Sequence, residues 1–116
     1  MEDTPTLEHP LPDDLVGLIA ERFHALSEPT RIKLLDRLRD GDATVYELTE
    51  LVGSSQQNIS KHLGVLRRAG IVRRRKLGNH VQYSIADAGV FGLCETVCGS
   101  LRRQLEELGA VVGAAR

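Results

Sequence analysis

Apolar residues recur every three or four positions along most of this chain, a spacing that places them on one face of an α-helix. Up to Gly70 the pattern predicts four helices in succession. The positions expected to face inward are Leu15, Leu18, Ile19, Phe23 and Leu26 in the first helix, Ile32, Leu34, Leu35 and Leu38 in the second, Val45, Leu48, Leu51 and Val52 in the third, and Ile59, Leu63 and Leu66 in the fourth.

Short polar or acidic residues stand where each of these helices is expected to begin. The expected helix starts are Asp13 with Asp14, Ser27, Thr44 and Ser54, in chain order. Glu47 and Gln57 each follow one of these caps by three residues, as in a capping box. Arg31 and Arg37 in the second helix are expected to be exposed.

After Gly70 the pattern becomes extended and predicts a β-hairpin. Residues 71–77 form the expected first strand, Gly78 and Asn79 the turn, and residues 80–85 the second strand, in which apolar residues alternate. A helix, a turn, a second helix and a hairpin in this order are the parts of a winged helix-turn-helix. The predicted fold class is therefore mostly α with a small β-hairpin wing.

A last helix is predicted from just after Asp87 to about Leu108, and its apolar stripe extends beyond what a compact winged helix needs. The stripe is expected to pack, together with the first helix, against the same surface of a second subunit. The expected dimer contacts are Leu15, Ile19, Val90, Cys94, Val97, Leu101 and Leu105. The predicted organisation is a flexible arm over residues 1–12, one winged helix-turn-helix domain that includes the dimerisation surface over 13–110, and a tail over 111–116.

Charge is unevenly distributed along the chain. The whole chain has 15 basic and 16 acidic residues, whereas the stretch from Ser54 to Ala86 has seven basic residues and no acidic one. A basic run alone can be a solvated face, and a helix-turn-helix alone can be a packing unit. Their coincidence indicates binding to double-stranded DNA.

The fourth helix begins with short polar side chains, which are suited to reading base edges in the major groove. The wing adds cations for the phosphates and a tip that could enter the minor groove. The expected DNA contacts are Ser55, Gln56, Gln57, Asn58, Ser60, Lys61, His62 and Arg67 on the helix, and Arg73, Arg74, Arg75, Lys76, Asn79 and His80 on the wing.

Other functional classes are disfavoured by composition. Aromatic residues make up 3% of the chain and Trp is absent, which argues against a base-stacking platform for single strands or RNA. No apolar run approaches a membrane span and no signal-peptide pattern opens the chain, so a cytoplasmic location is expected. No nucleophile–base pair, phosphate-cradling loop or paired-carboxylate cleft emerges, so no enzyme is predicted.

Two runs of sequence resemble the ArsR/SmtB family of bacterial metal- and stress-responsive repressors. They are HALSEPTRIKLLDRLRDG (24–41) and ELTELVGSSQQNISKHLGVLRRAGIVRRRKLGNHVQYSI (47–85), within a resemblance that covers about residues 18–108. The most specific parts are LSEPTR (26–31), SKHL (60–63) and LRRAGIV (66–72). The resemblance implies a winged-helix homodimer that binds operator DNA, usually represses, and releases DNA when an effector binds.

The effector sites of this family are mostly missing. The helix before the recognition helix, VYELTELVG, has no cysteine. Of the zinc-type site on the last helix only Asp87 matches, because Gly89, Ser100 and Arg103 stand at the other three positions; Asp87 is better explained as a helix cap.

The remaining candidates for an effector site are Cys94 and Cys98, one helical turn apart, which could supply part of a site for a thiophilic metal, a metalloid or an oxidant. The alternatives are that both cysteines only pack and that control comes from abundance or a partner protein, or that the winged helix is a protein-interaction module.

Overall fold

The computed structural model describes residues 9–111, with side chains up to Gly109. The elements are α1 (Asp13–Ala25), α2 (Pro29–Leu38), β1 (Ala43–Thr44), α3 (Val45–Val52), α4 (Gln56–Arg68), β2 (Val72–Leu77), β3 (His80–Ile85) and α5 (Gly89–Val111). They divide into two compact units, one ending at Ala86 and the other beginning at Asp87. The first eight residues of the predicted arm, and the predicted tail after residue 111, lie outside the described residues.

The core of the first unit lies where α2 and α4 meet α3. Its fully buried large side chains are Leu34, Leu48, Ile59, Leu63, Leu66 and Ile71. The first five belong to the predicted helical stripes, so the 3.6-residue period correctly identified most of the core.

Four residues predicted to face inward do not. In α1, Leu18 is 62% exposed and Phe23 is 52% exposed. In α2 and α3, Ile32 is 49% exposed and Leu51 is 58% exposed. Ile32 lies one position away from the stripe formed by Arg31, Leu34 and Leu35, and one residue is about 100° around a helix. Leu51 likewise lies one position before Val52, which is half-buried. Apolar character alone was a poorer guide than spacing at both positions.

The capping predictions were right for α3 and wrong for α2 and α4. The Thr44 hydroxyl accepts the Glu47 amide N–H at 3.1 Å, and Glu47 Oε1 accepts the Thr44 amide N–H at 2.8 Å, so α3 has the predicted capping box. The hydrogen bond from the Thr44 amide holds the pKa of Glu47 below its ordinary value.

The cap of α4 is Ser55 and not Ser54. Ser55 Oγ accepts the Asn58 amide N–H at 3.0 Å, whereas Ser54 Oγ accepts from the Asn58 side-chain amide at 2.8 Å. Ser27 does not cap α2. Its hydroxyl instead donates to the His24 carbonyl in the last turn of α1, at 2.6 Å.

The predicted hairpin is present, and it belongs to a three-stranded antiparallel sheet with the order β1-β3-β2. Gly78, with φ of 59°, makes the turn between β2 and β3. The additional strand, β1, pairs Ala43 with Tyr83 and Thr44 with Gln82. Strand β1 was not predicted from the sequence, since two residues are too few to show a period. The hairpin is thereby attached to the first residue of the capping box of α3.

The second unit is the long helix α5. The Asp87 carboxylate accepts the Gly89 amide N–H at 3.0 Å, as predicted for a residue at this helix start. The helix continues to Val111, three residues beyond the predicted end. Among residues 9–111, no helix combines the length and the apolar character needed to cross a bilayer.

Candidate nucleic-acid interface

The helix-turn-helix is formed by α3 and α4. Gly53 ends α3 with φ of 76°, a left-handed conformation that lets the chain turn sharply before Ser55 starts α4. The first two turns of α4 carry exposed amide, hydroxyl and ammonium groups on Gln56, Gln57, Ser60 and Lys61. These residues were predicted to contact DNA, and the fold leaves their side chains accessible.

Asn58 and His62 differ from these neighbours because each is partly buried and bonded inside the protein. The Asn58 amide donates to Ser54 Oγ at 2.8 Å, and His62 Nδ1 lies 3.1 Å from Arg31 Nη1. Both residues flank the stripe that contains Ile59, so each uses part of its hydrogen-bonding capacity within the fold. Their bonds hold α4, the predicted recognition helix, in place, and both residues lie near its accessible surface.

The four cations of β2 do not form one surface. In the antiparallel register, Arg74 lies opposite Tyr83 and Lys76 opposite Val81, whereas Arg73 and Arg75 lie opposite Ser84 and Gln82. Alternate residues of a strand point to opposite faces of the sheet. Arg74 and Lys76 therefore share the face of the buried Tyr83, and the other two arginines share the opposite face. The Arg73 guanidinium also donates to the Ile85 carbonyl at 3.4 Å.

A groove of about 400 Å³ lies between the recognition helix and the wing. Six of the predicted DNA contacts line it, namely Gln56, Ser60, Arg67, Arg74, Asn79 and His80. Helix and wing residues that are far apart in sequence thus meet at one concave surface. The groove lining mixes polar and apolar side chains and carries two guanidinium groups, which suit an anionic ligand such as a phosphate backbone.

Tyr46 lines the same groove and was not predicted. It is the second residue of α3, and 66% of its surface is exposed. A tyrosine hydroxyl can donate to a phosphate oxygen. The available signal was positional, because Tyr46 lies directly after the buried Val45 and off the apolar stripe, where a large aromatic residue has no core to enter.

Arg31 was predicted to be exposed, and this was wrong: only 6% of its surface is accessible. Its Nε donates to the Ala25 carbonyl at 2.7 Å, its Nη2 donates to the His24 carbonyl at 3.3 Å, and its Nη1 contacts His62. Burial, and after it the charge of Arg31, lower the pKa of His62. A guanidinium that touches the recognition helix therefore lies beneath the interface.

Cys94 is half-buried and Cys98 exposed on α5, and both are free thiols. Within the part of the chain that the structure describes, no three histidine, cysteine or acidic side chains are grouped so as to hold a metal ion. One chain therefore offers two cysteine thiolates at most, and a thiophilic ion that takes three or four ligands would need the others from elsewhere, for example from a second copy.

Residues 26–75 match the family described as "Helix-turn-helix domain". The chain is similar to the uncharacterized HTH-type transcriptional regulator Rv0081 of Mycobacterium tuberculosis, at 41% identity over 86% of this chain and 89% of that protein. It is also 41% identical to the HTH-type transcriptional regulator KmtR of the same species, over 70% of this chain but only 62% of the length of KmtR.

Two solved structures extend this similarity to the fold. The crystal structure of Rv0081 gives a TM-score of 0.73 at 40% identity, covering 86% of this chain and 97% of that one. The second is the solution structure of Mb0332 from Mycobacterium bovis, described as a homodimeric winged helix-turn-helix DNA-binding domain and a possible ArsR-family regulator. It gives a TM-score of 0.73 at 26% identity, covering 86% of this chain and 95% of that one. The identity extends over nearly the full length of Rv0081, and the fold is shared with both structures. The chain therefore belongs to the ArsR/SmtB family of winged helix-turn-helix transcriptional regulators.

Proposed function

We propose that this protein is a homodimer that binds operator DNA sequence-specifically and represses transcription, acting by binding and not by catalysis. The observation that carries the proposal is the groove between α4 and the wing, where polar side chains of α4 and the guanidinium groups of Arg67 and Arg74 meet. In the proposed complex the start of α4 enters the major groove, with Gln57 and Ser60 toward base edges. The turn at Asn79 and His80 lies toward the adjacent minor groove.

The homodimer is supported by the apolar side of α5. Val97, Leu101, Leu105 and Leu108 are exposed in the single chain and recur at spacings of four and three. Leu18 and Phe23 of α1 are exposed too, while Leu15 and Ile19 are half-buried. Val90 is already buried within one chain, so it would add little area to the interface.

A gel-shift titration tests the function as a whole. The intact protein is incubated with the DNA upstream of its own gene, and with an unrelated duplex of equal length, in moderate salt. We expect a tighter complex with the upstream fragment. Equal and weak binding to both duplexes would argue instead for a protein-interaction module.

The division of the wing into two faces gives a prediction about Arg74 and Arg75. Arg74→Ala should weaken binding to every duplex and lower the slope of log affinity against log salt by nearly one, because one phosphate contact is lost. Arg75→Ala removes the same charge from the neighbouring position on the opposite face, so its slope should change much less. Fluorescence anisotropy at four salt concentrations measures both slopes, and equal changes would show that the faces are not distinct.

For the effector, we propose that Cys94 and Cys98 of two subunits together take a thiophilic metal or metalloid ion, or react with an oxidant. The exposed Cys98 thiol is accessible, and its spacing from Cys94 places both thiols on one side of α5. A ligand that binds only one dimer geometry would shift the population toward it and alter the distance between recognition helices.

The corresponding test uses the double variant Cys94→Ser/Cys98→Ser. Cadmium or arsenite should raise thiolate absorption and weaken operator binding at least tenfold in the parent protein, and neither effect should occur in the variant. Mg²⁺ serves as the control ion, because it prefers oxygen ligands. Release that persists in the variant would place the effector elsewhere, and no release from the parent by any ion or oxidant would assign the cysteines to packing.

A further inference from the structure

Arg31 is the buried charged side chain of the described residues, and this burial requires an explanation. A guanidinium keeps its proton at any ordinary pH, so it cannot escape burial by becoming neutral. Removing such a charge from water is unfavourable unless acceptors surround it. The partners of Arg31 therefore indicate what the fold uses it for.

Two of these partners are the last carbonyls of α1. Ala25 ends the helix and is buried, and its carbonyl accepts from Arg31 Nε at 2.7 Å. The His24 carbonyl accepts from Arg31 Nη2 at 3.3 Å and from the Ser27 hydroxyl at 2.6 Å. Carbonyls in the last turn lack helical partners and carry the negative end of the helix dipole. Arg31 thus caps the C-terminus of α1 with a full positive charge.

The third partner is His62, in the second turn of the recognition helix. Arg31 Nη1 lies 3.1 Å from His62 Nδ1, and since arginine has no acceptor, Nδ1 must accept. A neutral imidazole that accepts at Nδ1 carries its proton on Nε2. The contact consequently selects one tautomer of His62 and leaves the Nε2–H group as the remaining donor of the ring.

We propose that Arg31 is a positioning residue for DNA recognition: it fastens α4 to the end of α1 and holds His62 as the Nε2–H tautomer, which donates to an acceptor on DNA. This rests on the proposed function, because it assumes that α4 lies on the duplex. The acceptor is a phosphate oxygen or a purine edge, both of which a neutral N–H donor fits. The contact also gives the end of α1, where the dimer surface is expected, a direct connection to the recognition helix.

The first experiment observes His62 in the free protein, so it needs no DNA. Ring ¹⁵N chemical shifts should show the Nε2–H tautomer in the parent, and this preference should be lost in Arg31→Met. The pKa of His62 should also rise in that variant, because the positive charge is removed while Glu28 and Lys61 remain. Arg37→Met is the matched control, since this arginine of the same helix bonds the Gly41 carbonyl and does not contact His62. An Nδ1–H tautomer in the parent, or no change in Arg31→Met, would overturn the proposal.

The second experiment tests the two ring nitrogens of His62 separately, and it does not depend on whether Arg31→Met folds. His62→Asn keeps an acceptor near the Nδ1 position but has no donor at Nε2, so operator affinity should fall roughly tenfold while the melting temperature stays near that of the parent. His62→Gln offers its amide near Nε2 and loses the acceptor for Arg31, so it should melt earlier and retain more affinity. If His62→Asn loses affinity for the operator alone, the acceptor on DNA is a base edge. If it loses affinity equally for unrelated DNA, the acceptor is a phosphate oxygen.

The outcomes also separate this inference from the proposed function. If the parent protein binds no duplex, the proposed function is wrong. The tautomer measurement needs no DNA, so it still tests whether Arg31 selects the Nε2–H tautomer of His62. If the parent binds its operator and His62→Asn binds equally well, the donor role of His62 is wrong although the function holds. Unchanged affinity in a folded Arg31→Lys variant, whose single ammonium cannot reach all three partners, would likewise exclude a positioning role.

Discussion

Replacing Leu101 and Leu105 together by Glu should give a folded monomer that binds the operator roughly 100-fold more weakly, because the two half-sites are no longer bound as one unit. The two side chains are 52% and 65% exposed in the single chain, so carboxylates at these positions can remain in solvent in the protomer. Across a dimer interface the same carboxylates would be buried without partners, which is strongly unfavourable. The slope of log affinity against log salt should fall by about half, since only one subunit contacts phosphate.

Sedimentation equilibrium at micromolar concentration and gel shifts on the operator measure this prediction. Arg103→Glu is the control, because it changes the net charge by the same amount on the opposite side of α5. The control should remain dimeric and bind normally. If the double variant stayed dimeric, the apolar side of α5 would not be the subunit contact, and the exposed residues of α1 would become the better candidates.

Leu63→Ala should lower the free energy of unfolding by about 2–5 kcal/mol, a large part of the total stability of a small domain. Leu63 is fully buried where α4 packs against α2 and α3, and the cavity left by truncation cannot collapse between three helices. Because α4 carries the residues proposed to read bases, the variant should also lose operator affinity as its melting temperature is approached. Urea denaturation followed by circular dichroism gives the free energy change.

The matched control is Leu51→Ala in the neighbouring helix α3. Leu51 is mostly exposed, so the same truncation there should change the free energy of unfolding by no more than about 0.5 kcal/mol. A loss as large as that for Leu63 would mean that Leu51 is covered in solution, for example by another subunit. A small loss for Leu63 would show that the α2–α4 packing contributes less than its burial indicates.

The recognition helix and the wing could be predicted from sequence because their signals are local. Ile59, Leu63 and Leu66 give the helical period, and Gly78 with Asn79 gives the turn. Strand β1 could not be predicted in the same way, since Ala43 and Thr44 become a strand only by pairing with β3, some forty residues later in the chain. The groove depends on this non-local pairing, so its individual residues were predicted but their meeting was not.

Arg31 shows how residue type can obscure a pattern that is present. It stands three, four and seven residues before Leu34, Leu35 and Leu38, which is the buried stripe of α2. Spacing therefore indicated a buried residue, whereas its charge indicated an exposed one. The charge was misleading because the acceptors at Ala25 and His62 come from two other helices, and single-helix patterns contain no information about such partners.

In the wing, the alternation of Arg74 and Lys76 with Arg73 and Arg75 was readable from the sequence, but four adjacent cations look like one feature. Only the register with Tyr83, which is buried, shows which pair shares its face of the sheet, and of that pair Arg74 lines the groove. The buried partner across the strand, and not the charge itself, distinguishes the two faces.

The strand order has a consequence for how this protein avoids aggregating. Strand β3 is paired on both sides and β1 is only two residues long, so the outer side of β2 is the one extended row of unpaired backbone groups in the described sheet. Unprotected edges of this kind recruit strands from other molecules, and positive charge repels such partners. The run from Arg73 to Lys76 places four positive charges on this edge strand, so we expect that neutralising all four at once would favour insoluble assemblies.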